Sequence, residues 1–278
     1  MTVLITGSRG QVGSAVRDRL QSGGHALRAA SSRPDGLEVV ELMLSKPETF
    51  APALRGVSQV FLYAEPDGVR EFVRTAEAEG VEHVVLMSSS AVLAPDAESH
   101  PLARTHLLVE RALEESGLTV TVLRPGAFAG NALAWSHAIG RGQPVQLAYP
   151  DAHVAAVHGD DLADLAYAAL TGHRLAGGTY TLSGGESLTF REQLGIIGGL
   201  LGREVVVETI TRAEAEEQLA AYLPPAAVTA LLDLWADSTA GPAPIDDTTM
   251  TLLGAPPRTF EQWARENLTA FAAQSALR

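Results

Sequence analysis

The sequence of 278 residues has no cysteine, no long apolar run and a shortage of basic side chains. Without cysteine, disulfide bonds, thiolate catalysis and cysteine-ligated metal sites are excluded. The 33 acidic residues outnumber the 20 lysines and arginines, and the net charge of −13 makes nucleic acid and anionic membrane surfaces poor partners. No apolar run approaches the roughly 18 residues of a membrane span, and no signal segment opens the sequence. We therefore expect a soluble, cytoplasmic protein with neither nucleic acid nor membrane as a partner.

Short apolar runs alternate with amphipathic stretches through the first 125 residues, which is typical of βαβ units and a parallel sheet. Strands are predicted at 3–5, 25–30, 38–42, 58–63, 82–87 and 119–123, and helices at 11–21, 68–80 and 101–116. The later strands are predicted at 145–147, 154–157, 180–182 and 204–210. The later helices are predicted at 160–170, 190–201, 211–237 (interrupted by two prolines) and 259–273.

This pattern predicts an α/β fold with a Rossmann-type doubly wound parallel sheet. The less regular second half predicts a smaller, discontinuous C-terminal α/β lobe for the substrate. The domain bounds follow from the change in pattern. We place a dinucleotide-binding domain at 1–150, with 155–182 returning to it, and the substrate or lid lobe mainly at 183–278.

The segment TGSRGQVG, residues 6–13, lies between the first predicted strand and the first predicted helix, and we call it the glycine loop. In such a setting the first glycine allows a tight turn, the second lets a pyrophosphate approach the backbone, and the third lets the helix pack closely on the strand. The free N–H groups of the helix then face the phosphates. The predicted cofactor-binding residues of this loop are Gly7, Ser8, Arg9, Gly10, Gln11, Val12 and Gly13.

The Gly-x-x-Gly-x-x-Gly spacing resembles that of the extended and atypical short-chain dehydrogenase/reductases. Further blocks resemble the NmrA-like subgroup, in the right order, over about residues 1–210. They are GVEHVVLMSSSAV, HLLVERALEESGLTVTVLRPGAFAGN, VHGDDLADLAYAAL and YTLSGGESLTFREQLGIIGGLLGREVVVE. The resemblance implies a Rossmann fold that binds a nicotinamide dinucleotide, and it is specific for the family but not for one reaction.

The end of the second predicted strand decides between the two nicotinamide cofactors. It carries Ser32 and Arg33 where NAD-binding domains usually place an acid on the ribose, and Asp35 lies beyond a proline. An arginine beside hydroxyls suits a 2′-phosphate, and Arg9 is a second candidate for it, so NADP(H) is predicted. Met43 stands where relatives carry an aspartate near the adenine. The rest of the groove is predicted at Ala64, Ser88 and Pro125.

Reductases of this superfamily use a Tyr-x-x-x-Lys pair on the helix after the fifth strand, with a serine at the end of that strand. Aligned on Glu110, the lysine position holds His106 and the tyrosine position holds Leu102, so the proton-transfer pair is missing. The candidate catalytic residues are therefore Ser90, which matches the serine, His106, and Tyr149 in a predicted substrate loop. For His106 and Tyr149, plain packing or surface roles stay open.

Several other polar residues carry weaker signals. Asn131 and Trp135 follow the sixth strand and could face a pocket. No metal site is predicted, because His153 and His158 lack helical spacing and a clear third ligand. Asp160 is interpreted as the N-cap of the next helix. For residues 211–244 a lid, an oligomer face and ordinary core all stay open.

Together these observations predict an NADP(H)-dependent oxidoreductase of the NmrA-like kind, which transfers hydride to or from a small quinone, enone or carbonyl compound. Without the Tyr/Lys pair, acceptors that delocalise developing charge are favoured over simple ketones. Two alternatives stay open: a non-catalytic NADP(H)-binding redox sensor that acts through a regulatory protein partner, and a non-redox isomerase or cyclase. A homodimer is also compatible with the sequence.

Overall fold

The computed structural model describes residues 1–34 and 39–272. Its strands are β1 (Thr2–Ile5), β2 (Ala26–Ser31), β3 (Val39–Glu41), β4 (Gln59–Tyr63), β5 (His83–Met87), β6 (Thr119–Pro125), β7 (Val145–Leu147), β8 (His153–Val154), β9 (Thr179–Leu182), β10 (Leu188–Thr189) and β11 (Val207–Thr209). Its helices are α1 (Gln11–Ser22), α2 (Phe50–Leu54), α3 (Val69–Ala78), α4 (Arg104–Glu114), α5 (Ser136–Gly140), α6 (Gly159–Thr171), α7 (Phe190–Leu201), α8 (Arg212–Leu219), α9 (Pro225–Asp237), α10 (Thr248–Leu253) and α11 (Phe260–Glu266).

Seven strands form one parallel sheet in the order β3-β2-β1-β4-β5-β6-β9. The strand order reverses between β1 and β4, where Ile5 lies opposite Phe61. In such sheets the crevice at the carboxyl ends beside this reversal is the usual ligand site. The predicted Rossmann-type α/β fold is confirmed.

The chain packs as two compact units, 1–125 with 159–182, and 126–158 with the described residues from 183 onward. The core of the first unit lies where β-strand side chains meet α2, α3 and α4, and it includes the wholly buried pair Phe50 and Phe72, whose rings meet edge to face. The second unit holds residues 126–150, which we had assigned to the first domain. Our domain bounds stay a prediction about parts that fold independently.

The second unit contains two small two-stranded sheets, β7 with β11 in parallel and β8 with β10 antiparallel. Its core gathers around Phe260, Trp263 and Phe271, all of them buried. Helices α7 and α8 each begin with a capping box, in which a threonine and a glutamate bond each other's backbone N–H groups. The sequence prediction of this unit missed α5, α10 and β10.

Some predicted element ends shift in the structure. Helix α4 begins at Arg104 instead of residue 101, because the chain around His100 forms hydrogen-bonded turns first. The closing helix ends at Glu266 and is followed by a 3₁₀ turn, Leu268–Ala270. Predicted positions 38 and 273 lie outside the described residues. Among those described, no helix is both long and apolar enough to cross a membrane.

Candidate active site

The glycine loop forms a tight turn between β1 and α1. Gly7 has a φ of +58°, which favours glycine, and its carbonyl accepts the N–H of Gly10 at 2.9 Å. At Gly13 an added Cβ would lie 2.3 Å from the Gly7 carbonyl oxygen, so only glycine lets the helix approach the loop this closely. These are the backbone requirements that a dinucleotide-binding loop places on its first and third glycines.

The N-terminus of α1 is suited to an anion. Gly10 is the N-cap and offers no side-chain hydrogen bond, and no acidic residue occupies the first turn. The first N–H groups of a helix have no intrahelical partner, and its dipole favours negative charge there. The loop and the helix start therefore fit a pyrophosphate, held by the predicted residues Gly10, Gln11 and Val12.

Two hydroxyls anchor the loop to the sheet. The buried Ser8 donates its hydroxyl hydrogen to the Ala30 carbonyl of β2 at 2.9 Å. Thr6 donates to the Phe61 carbonyl of β4 at 3.0 Å and accepts the N–H of Tyr63 at 3.0 Å. Because the Ser8 hydroxyl is bonded to the backbone, its contribution to a cofactor site is to hold the loop in place.

Tyr63, at the end of β4, packs directly on the glycine loop. A Cβ added at Gly7 would lie 2.6 Å from the Cδ2 atom of Tyr63, and the Tyr63 hydroxyl lies near the N–H of Gly13 at the start of α1. Burial raises the pKa of the Tyr63 phenol, and the Gly13 hydrogen bond offsets this only in part. The hydroxyl is therefore protonated at neutral pH.

A cavity of about 490 Å³ opens at the carboxyl ends of β1 to β4. Its lining combines loop backbone, apolar side chains and a few polar groups, among them Gly10, Ser32, Met43, Leu44, Tyr63 and Asp67. Its position beside the strand reversal and its mostly apolar wall fit the adenosine part of a dinucleotide. Met43, which stands where the resemblance places an aspartate near the adenine, is part of this lining.

The two arginines predicted to bind a 2′-phosphate lie at this cavity's edge. The Arg9 guanidinium donates to the Arg33 carbonyl at 2.8 Å, and the Arg33 N–H donates to the Ser31 hydroxyl at 3.1 Å. Arg9 and Ser32 line the cavity, whereas Arg33 is exposed next to it. Asp35 lies outside the described residues. The Arg9 guanidinium is thus held at the backbone of Arg33, beside the cavity where a 2′-phosphate is predicted.

A buried ion pair that the sequence analysis missed lies behind the site. Glu110 of α4, 2% exposed, accepts two hydrogen bonds from the Arg124 guanidinium of β6, one of them at 3.0 Å. It also accepts the hydroxyl hydrogen of the buried Ser88, at the end of β5. The pair raises the pKa of Arg124 further. The available sequence signal was Arg124, the one charged residue of strand β6.

The candidate catalytic residues of the first unit follow β5. Ser90 opens a short 3₁₀ segment and is half-buried. His106 lies in the first turn of α4, and its Nδ1 atom is buried without a hydrogen-bond partner among the described residues. Burial lowers the pKa of His106, although the charge of Glu110 opposes this. Leu102, at the tyrosine position, precedes the helix and offers no proton.

The remaining predicted groove residues pack with the core. Pro125 ends β6 and is buried, and Ala64 follows β4 and packs on the hydrophobic core of the first unit.

Asp160 is not an N-cap, as had been interpreted from the sequence, because it lies within the first turn of α6. Its carboxylate pairs with Arg19 of α1 at 2.8 Å, and Asp164 pairs with the same guanidinium at 2.6 Å.

The second unit contains Tyr149, the third candidate catalytic residue. Its hydroxyl lies near Arg212 of α8 and helps to raise the pKa of that guanidinium, and its ring packs on the apolar clusters of this unit. Trp135 meets Phe190 edge to face at 5.7 Å, whereas Asn131 is exposed. Tyr149 is thus held by a cation in its own unit, and a role in proton transfer stays a prediction.

The two histidines of this unit are also placed. His153 lies on β8, 3.4 Å from the hydroxyl of Ser187. His158 is buried, with its Nε2 atom 3.2 Å from a carboxylate oxygen of Glu266. Both contacts join segments of the second unit, which is an ordinary structural use of histidine.

Comparison with known proteins assigns the family. Residues 7–171, more than half of the chain, match the NAD(P)H-binding family. The chain is 37% identical to (4-alkanoyl-5-oxo-2,5-dihydrofuran-3-yl)methyl phosphate reductase of Streptomyces griseus, over 97% of this chain and 99% of that protein. It is 28% identical to an NAD(P)H azoreductase of Xenophilus azovorans, over 98% and 99% of the two chains.

A solved structure shares the fold. The NADPH-dependent quinone oxidoreductase of Escherichia coli, crystallised with NADPH, aligns with a TM-score of 0.78 at 23% identity, over 96% of this chain and 99% of that one. The protein therefore belongs to the NAD(P)H-binding family of Rossmann-fold proteins. It is an oxidoreductase of this family, and the resemblance to atypical short-chain dehydrogenase/reductases is confirmed.

Proposed function

We propose that the protein is an NADPH-dependent reductase of a carbon–carbon double bond that is conjugated to carbonyl groups. The observation that carries this proposal is the site after β5, where Leu102 and His106 replace the proton-transfer pair. An acceptor that stabilises the developing charge itself needs no such pair. The whole-length similarity to a reductase of an oxo-dihydrofuran supports the same substrate class.

The name of that relative's substrate explains why this chemistry suits the site. In a 4-alkanoyl-5-oxo-2,5-dihydrofuran the ring double bond joins C3 and C4, and C4 carries two carbonyl groups. Hydride addition at C3 leaves the electron pair on C4, where both carbonyls delocalise it, and water can then supply the proton. For this chain we propose a substrate of the same kind, a small lactone or enone with a doubly activated double bond.

The residues of the chain would divide the remaining tasks. When bound, the cofactor supplies the hydride. The N–H groups at the start of α1 would hold its pyrophosphate, and Arg9 and Arg33 its 2′-phosphate. His106 is neutral at pH 7, since burial lowers its pKa, and would hydrogen-bond a ribose hydroxyl in place of a lysine. Ser90 would orient a substrate carbonyl, and the role of Tyr149 stays a prediction.

The first test compares cofactors and acceptors. Purified protein is titrated with NADPH and with NADH by nucleotide fluorescence, and NADPH oxidation is then followed with a 3-acyl-2-butenolide, a quinone and a simple saturated ketone. We expect tighter binding of NADPH, fast oxidation with the butenolide and none with the ketone. Arg33→Ala should reduce the preference for NADPH, whereas Arg17→Ala, on the exposed side of α1, should leave it unchanged.

Other outcomes point elsewhere. Robust reduction of the simple ketone would contradict the proposal, because that acceptor needs an acid. Tight NADPH binding without turnover would favour the redox sensor, and conversion of a substrate without NADPH oxidation would favour an isomerase or cyclase. A cytoplasmic location, a homodimer and a regulatory protein partner stay predictions of the sequence.

A further inference from the structure

Helix α1 lacks the side chain that normally satisfies its third N–H group. Its N-cap is Gly10, whereas serine, threonine, aspartate and asparagine are the usual N-cap residues because their side chains accept from N2 or N3. The N3 residue of α1 is Gly13, so that its N–H needs an acceptor from elsewhere in the fold. A phosphate could reach the N1 and N2 groups and leave N3 behind them.

Tyr63 offers an acceptor from a different element. Its hydroxyl, at the end of β4, lies close enough to Gly13 for that N–H group to lower the pKa of the phenol. The ring is held firmly, because one face meets the glycine loop at Gly7 and the ring meets the buried Phe61 edge to face at 5.5 Å. The backbone N–H of Tyr63 is bonded to Thr6. The hydroxyl oxygen therefore has a fixed position at the helix start.

The hydroxyl still has its own hydrogen to donate. A phenol both accepts and donates, and the bond from Gly13 uses only a lone pair. Burial raises the pKa of Tyr63, so that this hydrogen is present at neutral pH. The hydroxyl oxygen is 3.9 Å from the Cβ position at Gly10, the glycine that lets a pyrophosphate approach the backbone, and Tyr63 lines the nucleotide cavity.

We propose that Tyr63 is a cofactor-binding residue whose hydroxyl caps the third N–H of α1 and donates its own hydrogen to a pyrophosphate oxygen. The inference rests on the proposed function, since it takes the cavity to be the NADPH site. The phosphate cannot reach the N–H of Gly13 itself. It can reach the hydroxyl hydrogen of Tyr63, which then acts as the donor. The hydroxyl adds a hydrogen bond without adding a positive charge.

The test uses Tyr63→Phe, which removes the hydroxyl and keeps the ring on the glycine loop. Two fragments of NADPH separate the phosphates: 2′-phospho-ADP-ribose contains the pyrophosphate, and adenosine 2′-monophosphate does not. We expect the variant to bind 2′-phospho-ADP-ribose about 10-fold more weakly in calorimetry, the effect of one hydrogen bond to a charged group. Binding of adenosine 2′-monophosphate should be unchanged, which also shows that the adenosine half of the site is folded.

The matched control is Tyr167→Phe on α6, in the same unit. Its hydroxyl lies 3.4 Å from a ring nitrogen of His25. His25 directly precedes β2 and so lies at the amino ends of the strands, away from the cavity at their carboxyl ends. This variant should bind both fragments as the wild type does. A comparable loss in Tyr167→Phe would show that the effect is general destabilisation and would overturn the inference.

The remaining outcomes are distinct from one another. Unchanged or tighter binding of 2′-phospho-ADP-ribose by Tyr63→Phe would overturn the inference, the second result because it would make the hydroxyl a competitor of the phosphate. Equal weakening of both fragments would overturn it as well, because the hydroxyl would then serve the fold. If the wild type binds neither NADPH nor the fragments, it is the proposed function that fails.

Discussion

The glycine loop and the segment from Ser88 to Glu110, which follows β5, lie in the same unit and serve two halves of one reaction. The loop has every feature that a dinucleotide needs: the positive φ of Gly7, the close approach at Gly13 and an N-terminus without acids. In the segment after β5, the resemblance to the family predicts Leu102 and His106 at the positions of the proton-transfer pair. Binding of the cofactor and transfer of a proton are thus separable in this fold.

The two regions differ in what supports them. In the glycine loop the backbone itself makes the site, and a single added methyl group would clash with main-chain atoms. After β5 the site depends on side chains, which can change while Ser88, Glu110 and Arg124 keep helix α4 on the sheet. Side chains after β5 can therefore change without disturbing the backbone that forms the glycine loop.

The largest effect is expected from Gly13→Ala, which tests whether the backbone of the glycine loop makes the cofactor site. The new Cβ would lie 2.3 Å from the Gly7 carbonyl oxygen, so the loop or the helix must move. We expect a loss of about 3 kcal/mol in the free energy of unfolding, the upper end for overpacking, and at least about 100-fold weaker NADPH binding. Denaturant unfolding and fluorescence titration measure the two effects.

Gly199→Ala is the control for this substitution. Gly199 is also helical, in α7, but an added Cβ meets no heavy atom within 4 Å among the described residues. This variant should be as stable as the wild type or more stable, by up to about 1 kcal/mol, because alanine favours helix. If Gly13→Ala behaved in the same way, the close approach of α1 to the loop would not matter for binding.

A smaller effect is expected from Glu110→Gln, which tests the support of the second region. The amide keeps the shape but leaves the Arg124 guanidinium without its negative partner, at a site where the carboxylate was 2% exposed. We expect a loss of about 2 kcal/mol in the free energy of unfolding, within the range for a buried polar group that loses its partner. NADPH binding should change little, since the glycine loop is untouched.

Glu98→Gln provides the comparison on the surface. Glu98 pairs with Arg111, but its side chain is 75% exposed, and solvent screens such pairs. Its removal should leave the unfolding transition in place. Equal effects of the two substitutions would mean that the pair behind the site contributes no more than a surface pair does.

Local backbone requirements explain what the sequence predicted well. Glycine spacing, apolar strands and helix periodicity are properties of neighbouring residues, so the loop, the sheet and the nucleotide cavity could be predicted together. Contacts between segments that are distant in the sequence could not be predicted in this way. Glu110 was used only to align the motif, although it anchors α4, and nothing in the local pattern around Tyr63 links it to Gly13.

Helix ends and the substrate lobe show the same limit. Pro101 was included in the helix, but hydrogen-bonded turns around His100 delay its start to Arg104. In the second unit, Tyr149 was selected for its loop position, and its proximity to Arg212 depends on a helix far along the chain. Side-chain partners of this kind are decided by packing, which no periodicity reveals.

The smallest expected effect concerns the charge of His106. It tests directly whether the segment after β5 transfers a proton, as the glycine loop binds the cofactor. Its pKa is lowered by burial, so the imidazole is neutral above its unfolded value of about 6.5. We therefore expect the turnover of the proposed reaction to be flat between about pH 6.5 and about pH 8, because His106 stays neutral through this range. A rate that rises as the pH falls through this range would make His106 a proton donor.

Stability provides the second measurement on His106. A histidine with a lowered pKa in the folded state binds its proton more readily when unfolded. The free energy of unfolding is therefore highest above about pH 6.5 and decreases as the pH falls below this value. His106→Gln should make unfolding less sensitive to acid. His83→Gln should have the same effect on acid sensitivity, since burial lowers the pKa of His83 too. The His83 ring, however, already has a hydrogen-bond partner, because it lies at the start of β5 and bonds Thr121 of β6. Only His106→Gln should also weaken NADPH binding, because His106, whose Nδ1 atom has no hydrogen-bond partner among the described residues, is the histidine that we propose to bind a ribose hydroxyl.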